Sequence, residues 1–187
     1  MLTAAAYDIH VNQLLERMRK FHACMDRAGI PYRIIGGMAT FIQIFERDPH
    51  AGRLTDDVDA AVNRSDLDAI IRAAEAAGFK YRHVAGVDML LDAKKPKAKS
   101  AIHLVFIGEK VRPEYLETIP GSPPEKTKEG ILIAPVRDLV VMKLTSFRIK
   151  DQLHIQDLDG VGLITPEIEA QLSEPLQQRL AQVRSSR

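Results

Sequence analysis

The stretch IIGGMATFIQIFERDPHAGRLTDDVDAAV, residues 34–62, decides the fold. A short apolar run meets Gly36 and Gly37 and then continues with apolar residues at helical spacing. After a polar loop, a second apolar run begins between Asp57 and Asp59. This order predicts a strand, a helix and a second strand, with the glycine turn and the carboxylate pair facing each other across a ligand site.

Length and composition limit the classes of protein to consider. The chain has 187 residues, 45% of them hydrophobic and 27% charged, with a net charge of +1. We expect one domain over residues 1–187, with a core at about 30–135 and C-terminal helices at about 136–187. No apolar run approaches the ~18 residues of a membrane span, and the first residues, MLTAAAYDIH, do not resemble a secretory signal. The sequence therefore predicts a cytoplasmic protein with no membrane partner.

Apolar spacing and turn residues give the rest of the expected architecture. The predicted strands lie at about 32–35, 58–62, 79–84, 87–91, 101–107 and 131–134. The predicted helices are an entry helix at about 8–28, the helix that follows the double glycine, a third capped by Ser65, two that meet near 149–151, and two more opened by Thr165 and Pro175. A Pro- and Lys-rich segment, 108–130, is an excursion over the surface. The fold class expected is α+β, with a mixed sheet flanked by helices and a helical C-terminal part.

The carboxylates indicate a metal site. Strand alternation sends Asp57 and Asp59 to the same side of the sheet, while Val58 turns into the core. Two adjacent carboxylates repel each other, and the repulsion is relieved if one of them takes a proton or if a divalent cation lies between them. Mg²⁺ is the natural occupant, since it prefers oxygen ligands. Asp56 points away from this pair and is left outside the site.

The double glycine indicates a phosphate site. Gly36 and Gly37 lack side chains, so a ligand can approach the backbone, and the N–H groups that open the next helix at Met38 favour an anion. Taken singly, a double glycine is more often a tight turn, and an acidic cluster is more often a solvated loop. In this order and at this spacing, they predict a site for a metal-bound nucleotide.

These residues resemble a known superfamily. GGMATFIQIF followed by RLTDDVDAAV is similar to the signature of the DNA-polymerase-beta-like nucleotidyltransferases, and most similar to its minimal bacterial, abortive-infection type II toxin-like branch. That branch has an Arg-x-Thr-x-Asp-x-Asp arrangement, which in this chain is Arg53, Thr55, Asp57 and Asp59.

The C-terminal segment RDLVVMKLTSFRIKDQLHIQDL resembles the same branch. A lysine on one helix, and basic residues with an aspartate near the next helix junction, correspond to Lys143, Arg148, Lys150 and Asp151. The residues alone also allow simpler explanations. Lys143 could snorkel from a buried helix, and the other three could be ordinary helix-end charges.

The lysine-rich loop AKKPKAKS, 93–100, is either a solvated hairpin loop or a phosphate contact.

The resemblance implies an activity, a cofactor and a set of roles. The activity is transfer of a nucleoside monophosphate from a nucleoside triphosphate to an acceptor hydroxyl on a small molecule, an RNA end or a protein, with Mg²⁺ or Mn²⁺. A toxin–antitoxin partner is also implied. The metal ligands are Asp57 and Asp59, the catalytic residues add His103 and Lys143, and the nucleotide-binding residues are Gly36, Gly37, Arg53, Thr55, Lys143 and Arg148.

One position departs from the family pattern. Many members carry a third carboxylate on a later strand, and in this chain the matching strand, AIHLVFI, holds His103. A neutral imidazole can still accept a proton, but it is a poorer Mg²⁺ ligand than a carboxylate. It can also be a structural histidine with a satisfied hydrogen bond. The alternative function is therefore a catalytically weak protein of this fold that binds a nucleotide or a protein partner.

Overall fold

The computed structural model describes residues 4–53, 55, 57–94 and 101–186. Its helices are α1 Ala4–Ala28, α2 Gly36–Arg47, α3 Leu67–Ala76, α4 Val136–Ser146, α5 Ile149–Gly160, α6 Pro166–Ala170 and α7 Glu174–Ser185. Its strands are β1 Tyr32–Ile35, β2 Val58–Val62, β3 Phe79–Val84, β4 Val87–Asp92, β5 Ile102–Phe106, β6 Glu125–Lys126 and β7 Leu132–Ile133. The expected α+β class is confirmed. No described helix is long and apolar enough to cross a lipid bilayer.

The described strands form one mixed sheet of seven, in the order β3-β4-β5-β2-β1-β7-β6. At its centre, β2 runs antiparallel to β1 and parallel to β5. The hairpin β3–β4 joins one edge through β5, and the hairpin β6–β7 joins the other through β1. The start of β2 therefore lies in the middle of the sheet, beside the end of β1 where the glycines follow.

Two hydrophobic clusters hold the helices on this sheet. In the larger cluster, Phe21 of α1 and Ile70 of α3 pack on the central strands. The smaller cluster joins α4, α5 and α7, with Leu144 and Leu158 fully buried. Helix α2 belongs to both clusters, because its N-terminal half packs in the larger one and Ile44 in the smaller one. The expectation of a single domain stays a prediction.

The start of α3 differs from the sequence prediction. Ser65 lies in a short 3-10 turn, Arg64–Asp66, so it is not the helix cap. Asp66 occupies the position before α3, without a side-chain cap hydrogen bond to the helix. Its carboxylate accepts a hydrogen bond from the Asn63 amide at 2.9 Å instead.

The junction of α4 and α5 lies slightly earlier than residues 149–151. Phe147 adopts a left-handed conformation, φ 51°, and ends α4, and Arg148 precedes α5. At the other end of the chain, the Thr165 cap is confirmed, because its hydroxyl accepts a hydrogen bond from the Ile168 N–H. Asp56 and residues 95–100 of the lysine-rich loop lie outside the described residues.

Candidate active site

The pairing of β2 with β5 brings the two strands' polar residues together. The strands are parallel and in register, with Asp59 directly opposite His103. His103 Nδ1 lies 3.2 Å from Asp59 Oδ1. Since an ionised carboxylate only accepts hydrogen bonds, Nδ1 carries the proton and Nε2 is the free acceptor of the neutral ring. The hydrogen bond to Asp59 raises the pKa of His103, although burial acts in the opposite direction.

The double glycine packs directly against this pair. A Cβ atom on Gly36 would lie 2.2 Å from Asp59 Oδ2, and one on Gly37 would lie 2.5 Å from Thr55 Oγ1. Gly36 also has φ +69°, a left-handed conformation that favours glycine. A side chain at Gly36 would displace the Asp59 carboxylate and one at Gly37 would displace Thr55, and the backbone conformation also favours glycine at Gly36. The turn fixes the position of the Asp59 carboxylate.

Replacing Gly36 with alanine is expected to displace Asp59 and to destabilise the fold. The left-handed backbone alone costs a residue with a side chain about 1–2 kcal/mol, and the contact with Asp59 adds to this cost. Gly162→Ala is the matched control, because Gly162 has φ +73° with nothing within 4 Å of its Cβ position. Urea unfolding of both variants separates the cost of the left-handed backbone from the cost of the contact with Asp59. Equal losses of stability would show that Asp59 is not confined by the turn.

A second group of charges lies on α4 and α5. Lys143 Nζ donates to Asp151 Oδ1 at 3.1 Å, Arg148 Nε donates to Oδ2 at 2.6 Å, and the Ser146 hydroxyl donates to Oδ2 at 2.8 Å. Lys143 and Asp151 are both buried. Lys143 therefore does not snorkel to the surface, and Asp151 holds the two cations side by side.

The pKa values of these groups reflect burial and mutual charge. Burial lowers the pKa of Lys143, and the nearby carboxylate of Asp151 opposes this. Burial would raise the pKa of Asp151, but the hydrogen bond from Arg148 and the charge of Lys143 lower it to about 2. The charge of Asp59 also favours the charged forms of Lys143 and Arg148, by less than Asp151 does.

Two adjoining cavities connect the groups. The larger, about 620 Å³, is lined by Asp57, Asp59, His103, Lys143 and Arg148 among other residues. The smaller, about 330 Å³, is lined by Gly36, Gly37, Arg53, Thr55, Asp57, Asp59, Lys143, Arg148, Lys150, Leu153 and His154. The predicted site residues thus lie together around these two cavities. Their roles stay predictions.

The structure adds contacts of Arg53 and His154 that the sequence did not indicate. Arg53 Nε donates to Asp157 Oδ2 at 2.6 Å, which ties Arg53 to α5 while its half-exposed side chain still lines the smaller cavity. The sequence indicates a partly exposed helix residue at His154, and in the structure His154 is partly exposed on α5 and lines the smaller cavity. Burial and the charge of Lys143 lower the pKa of His154 to about 4, so its ring is neutral near pH 7. The sequence signal for this placement was the spacing, because His154 lies one helical turn after Lys150, which lines the same cavity.

The site suits a magnesium ion that is shared with a substrate. Mg²⁺ is commonly held by one or two carboxylates and completes its shell with water and phosphate oxygens. Asp57 and Asp59 supply two carboxylates on the cavity wall. Within the described residues, no group of three or more His, Cys, Asp or Glu side chains is placed to hold a metal ion. The donor set fits Mg²⁺ bound together with a nucleotide, and not a closed protein cage.

Comparison with known proteins supports the fold. Neither a protein-family model nor a curated protein sequence matches this chain. The solution structure of the antibiotic-resistance factor ANT(2'')-Ia is similar, with a TM-score of 0.56 and 14% identity over 95% of this chain and 94% of that one. The crystal structure of ANT(2'')-Ia in complex with adenylyl-2''-tobramycin is similar as well, with a TM-score of 0.51 and 14% identity over 94% of this chain and 98% of that one. The chain therefore has a fold similar to nucleotidyltransferase structures.

Proposed function

We propose that this protein transfers a nucleoside monophosphate from a nucleoside triphosphate to an acceptor hydroxyl. The observation that carries the proposal is the cavity wall itself, where two carboxylates, Asp57 and Asp59, face the paired cations Lys143 and Arg148. Carboxylates for a cation and cations for a polyphosphate are the two parts that phosphoryl transfer needs. The similarity to nucleotidyltransferase structures supports the same activity.

The smaller cavity is the proposed place of the triphosphate. The backbone at Gly36 and Gly37 can approach phosphate oxygens closely, since neither residue has a side chain in the way. Lys143 and Arg148 line the same cavity and add positive charge to it. Mg²⁺ held by Asp57 and Asp59 would neutralise charge on the phosphates and polarise the reacting oxygens.

His103 is the proposed proton acceptor. Its Nδ1 is occupied by Asp59, which leaves Nε2 to take the proton of the acceptor hydroxyl. The acceptor oxygen then forms a bond to the α-phosphorus, the bond from that phosphorus to the bridging oxygen breaks, and pyrophosphate leaves. The raised pKa of His103 strengthens the ring as a base.

The second candidate is a protein that binds a nucleotide or a partner protein, including an antitoxin, without efficient transfer. The observation that favours it is the same histidine. His103 stands where a third carboxylate is expected, and its hydrogen bond engages one oxygen of Asp59. A metal ion would thus have fewer carboxylate oxygens here than in a site with three acidic residues. Turnover separates the two candidates.

His103→Gln is expected to lower turnover by about 10²–10⁴-fold, the usual contribution of a general base, while nucleotide binding persists. The measurement is pyrophosphate release from ATP, CTP, GTP and UTP with Mg²⁺, with total RNA or a small-molecule extract as the acceptor source. His50→Gln, an exposed histidine, is the control. Unchanged turnover in His103→Gln would remove the proton-acceptor role. Nucleotide binding without turnover in the wild type would favour the second candidate.

A further inference from the structure

His103 lies on the exposed face of the outer strands of the sheet. On β5, every second residue from Ile102 is buried, whereas His103 and Val105 on the opposite face are partly exposed. Met89 of β4 pairs directly with His103, and paired residues of neighbouring strands point to the same face. Val87, two residues before Met89, points to that face as well. The sheet surface next to the proposed proton acceptor is therefore apolar.

Exposed hydrophobic side chains are concentrated around this surface. Within the described residues, six large hydrophobic side chains are exposed. Five of the six line the larger cavity or directly adjoin, in the chain, a residue that lines it: Val84, Val87, Val111, Leu116 and Ile149. The sixth is Phe45 on α2, and neither Phe45 nor its chain neighbours line either cavity. Single exposed apolar residues are ordinary, whereas their concentration at one place marks a binding surface.

A loop from Gly108 to Ile119 borders the same cavity. Its base is closed by two backbone hydrogen bonds, from the Gly108 N–H to Ile119 O and from the Ile119 N–H to Glu109 O, each 2.9 Å. Near its far end, Glu117 accepts a hydrogen bond from the Ser173 hydroxyl at 2.5 Å, which ties the loop to the segment before α7. The loop is therefore held in place beside the cavity.

The cavity has the size and lining of a small-molecule site. Val87 and Val105 of the sheet and Val111, Tyr115 and Ile119 of the loop all line it. Its volume of about 620 Å³ lies within the ~300–1,000 Å³ that is usual for such sites, which are lined mostly by hydrophobic and aromatic side chains with a few polar groups. The space suits a compact ligand with an apolar part.

The charges of the outer part of this cavity balance. Outside the proposed nucleotide site, the cavity is lined by three carboxylates and three cations: Asp88, Glu109 and Glu117, and Arg64, Lys110 and Arg112. Arg64 donates two hydrogen bonds to Glu109, at 2.9 and 2.6 Å, and lies 3.7 Å from Asp88. Lys150 lines both cavities and adds its charge to the nucleotide side. Neither sign of charge is therefore in excess in the outer part.

An uncharged ligand suits such a wall better than an ionic one. A charged group loses its hydration when it enters a cavity, and this loss is compensated only where the wall offers an excess of the opposite charge. A ligand with a net charge of either sign would meet both attraction and repulsion here. An uncharged ligand avoids this cost, and contact with the apolar surface stabilises it.

We infer that the acceptor is an uncharged hydroxyl compound with an apolar body. The apolar body lies on Val87 and Val105, with Val111 beside it, and the hydroxyl reaches Nε2 of His103. The inference rests on the proposed function, because it names the class of acceptor for the same site. The ANT(2'')-Ia crystal structure contains adenylyl-2''-tobramycin, and tobramycin is a cationic polyamine near pH 7. We therefore expect the two proteins to prefer different acceptors.

The test uses glycosides that differ in one group at a time. 4-Nitrophenyl β-D-glucoside is uncharged, the corresponding glucuronide has a carboxylate at C6, and the corresponding 6-amino-6-deoxy glucoside has an ammonium there. Methyl β-D-glucoside keeps the sugar hydroxyls and lacks the aryl group. In ligand-observed NMR titrations of the wild type, we expect the nitrophenyl glucoside to bind about tenfold tighter than the methyl glucoside, because it buries more apolar surface. It should bind at least as tightly as its two charged analogues.

The double variant Val87→Asn/Val111→Asn should lose the preference for the aryl group. Both side chains are exposed, so the variant is expected to remain folded, and thermal unfolding checks this. Phe45→Asn is the control, because it removes an exposed hydrophobic side chain that lines neither cavity. The control should keep the aryl preference.

Four results would overturn the inference. They are no binding of the nitrophenyl glucoside, equal binding of the nitrophenyl and methyl glucosides, tighter binding of either charged analogue, and an aryl preference that survives in Val87→Asn/Val111→Asn. Displacement of the nitrophenyl glucoside by a short RNA that binds more tightly would also overturn it, in favour of a nucleic-acid acceptor. Nucleotide titration of the same samples keeps the two proposals apart, because triphosphate binding that depends on Asp57 and Asp59 would leave the transfer proposal standing.

Discussion

Replacing Asp59 with asparagine is expected to lower nucleotidyl transfer by about a thousandfold or more. The substitution keeps the size of the side chain and removes a charge that would help to hold Mg²⁺. A loss of this size corresponds to several kcal/mol of transition-state stabilisation, at about 1.4 kcal/mol per tenfold in rate. It also removes the ionised acceptor that orients His103. Asp57→Asn should give a loss of similar size, since both carboxylates line both cavities. Pyrophosphate release under saturating nucleotide and Mg²⁺ measures the effect.

The matched control for these variants is Asp68→Asn. Asp68 is an exposed aspartate in the first turn of α3, and the same loss of charge there should leave transfer unchanged. Circular dichroism and thermal unfolding should show that Asp57→Asn and Asp59→Asn remain folded, because neither carboxylate is fully buried. Near-normal transfer in either site variant would exclude the proposed metal ligands.

Asp151→Ala is expected to cost about 3–5 kcal/mol of unfolding free energy. The Asp151 carboxylate is fully buried and accepts hydrogen bonds from Lys143, Ser146 and Arg148. Removing it leaves the ammonium of Lys143 buried without its carboxylate partner. Urea unfolding monitored by circular dichroism gives the difference, with Asp68→Ala as the control. A loss under about 1 kcal/mol would mean that the buried network contributes little to the fold.

The same carboxylate gives a pH dependence with a definite sign. The pKa of Asp151 in the folded protein is about 2, below the ordinary aspartate value of 3.8. Its stabilisation is therefore complete above about pH 4 and is lost as the pH falls towards 2. The difference in stability between the wild type and Asp151→Asn should be constant at neutral pH and should shrink between pH 4 and 2. A difference that stays constant down to pH 2 would contradict the assigned role of the charge.

Local sequence patterns were enough to predict the centre of the fold. The run from Ile34 to Val62 specifies strand, glycine turn, helix and strand without help from the rest of the chain, because each period and each breaker is local. The same holds for the two strands β3 and β4 and for the Thr165 cap. The family resemblance indicated His103 on the later strand, and the structure adds that this residue lies directly opposite Asp59.

Long-range contacts decided what the sequence did not predict. Strand β6 has only two residues and forms because it pairs with β7, so its sequence has no periodicity that would predict a strand. The anchoring of the 108–130 excursion depends on buried Asp138, whose carboxylate accepts hydrogen bonds from both the N–H and the hydroxyl of Ser122. The Arg53–Asp157 pair joins residues that are 104 positions apart. Such partners are set by tertiary packing and not by spacing.

The central claim is that Asp57 and Asp59 bind a metal-bound nucleotide between the glycine turn and the cations of α4 and α5. Calorimetric titration of ATP, CTP, GTP and UTP into the wild type and into Asp57→Ala/Asp59→Ala, with and without Mg²⁺, tests it most directly. We expect at least one triphosphate to bind the wild type in a Mg²⁺-dependent manner and to lose this binding in the double variant. Binding that is absent from the wild type, or that is the same in both proteins, would contradict the claim.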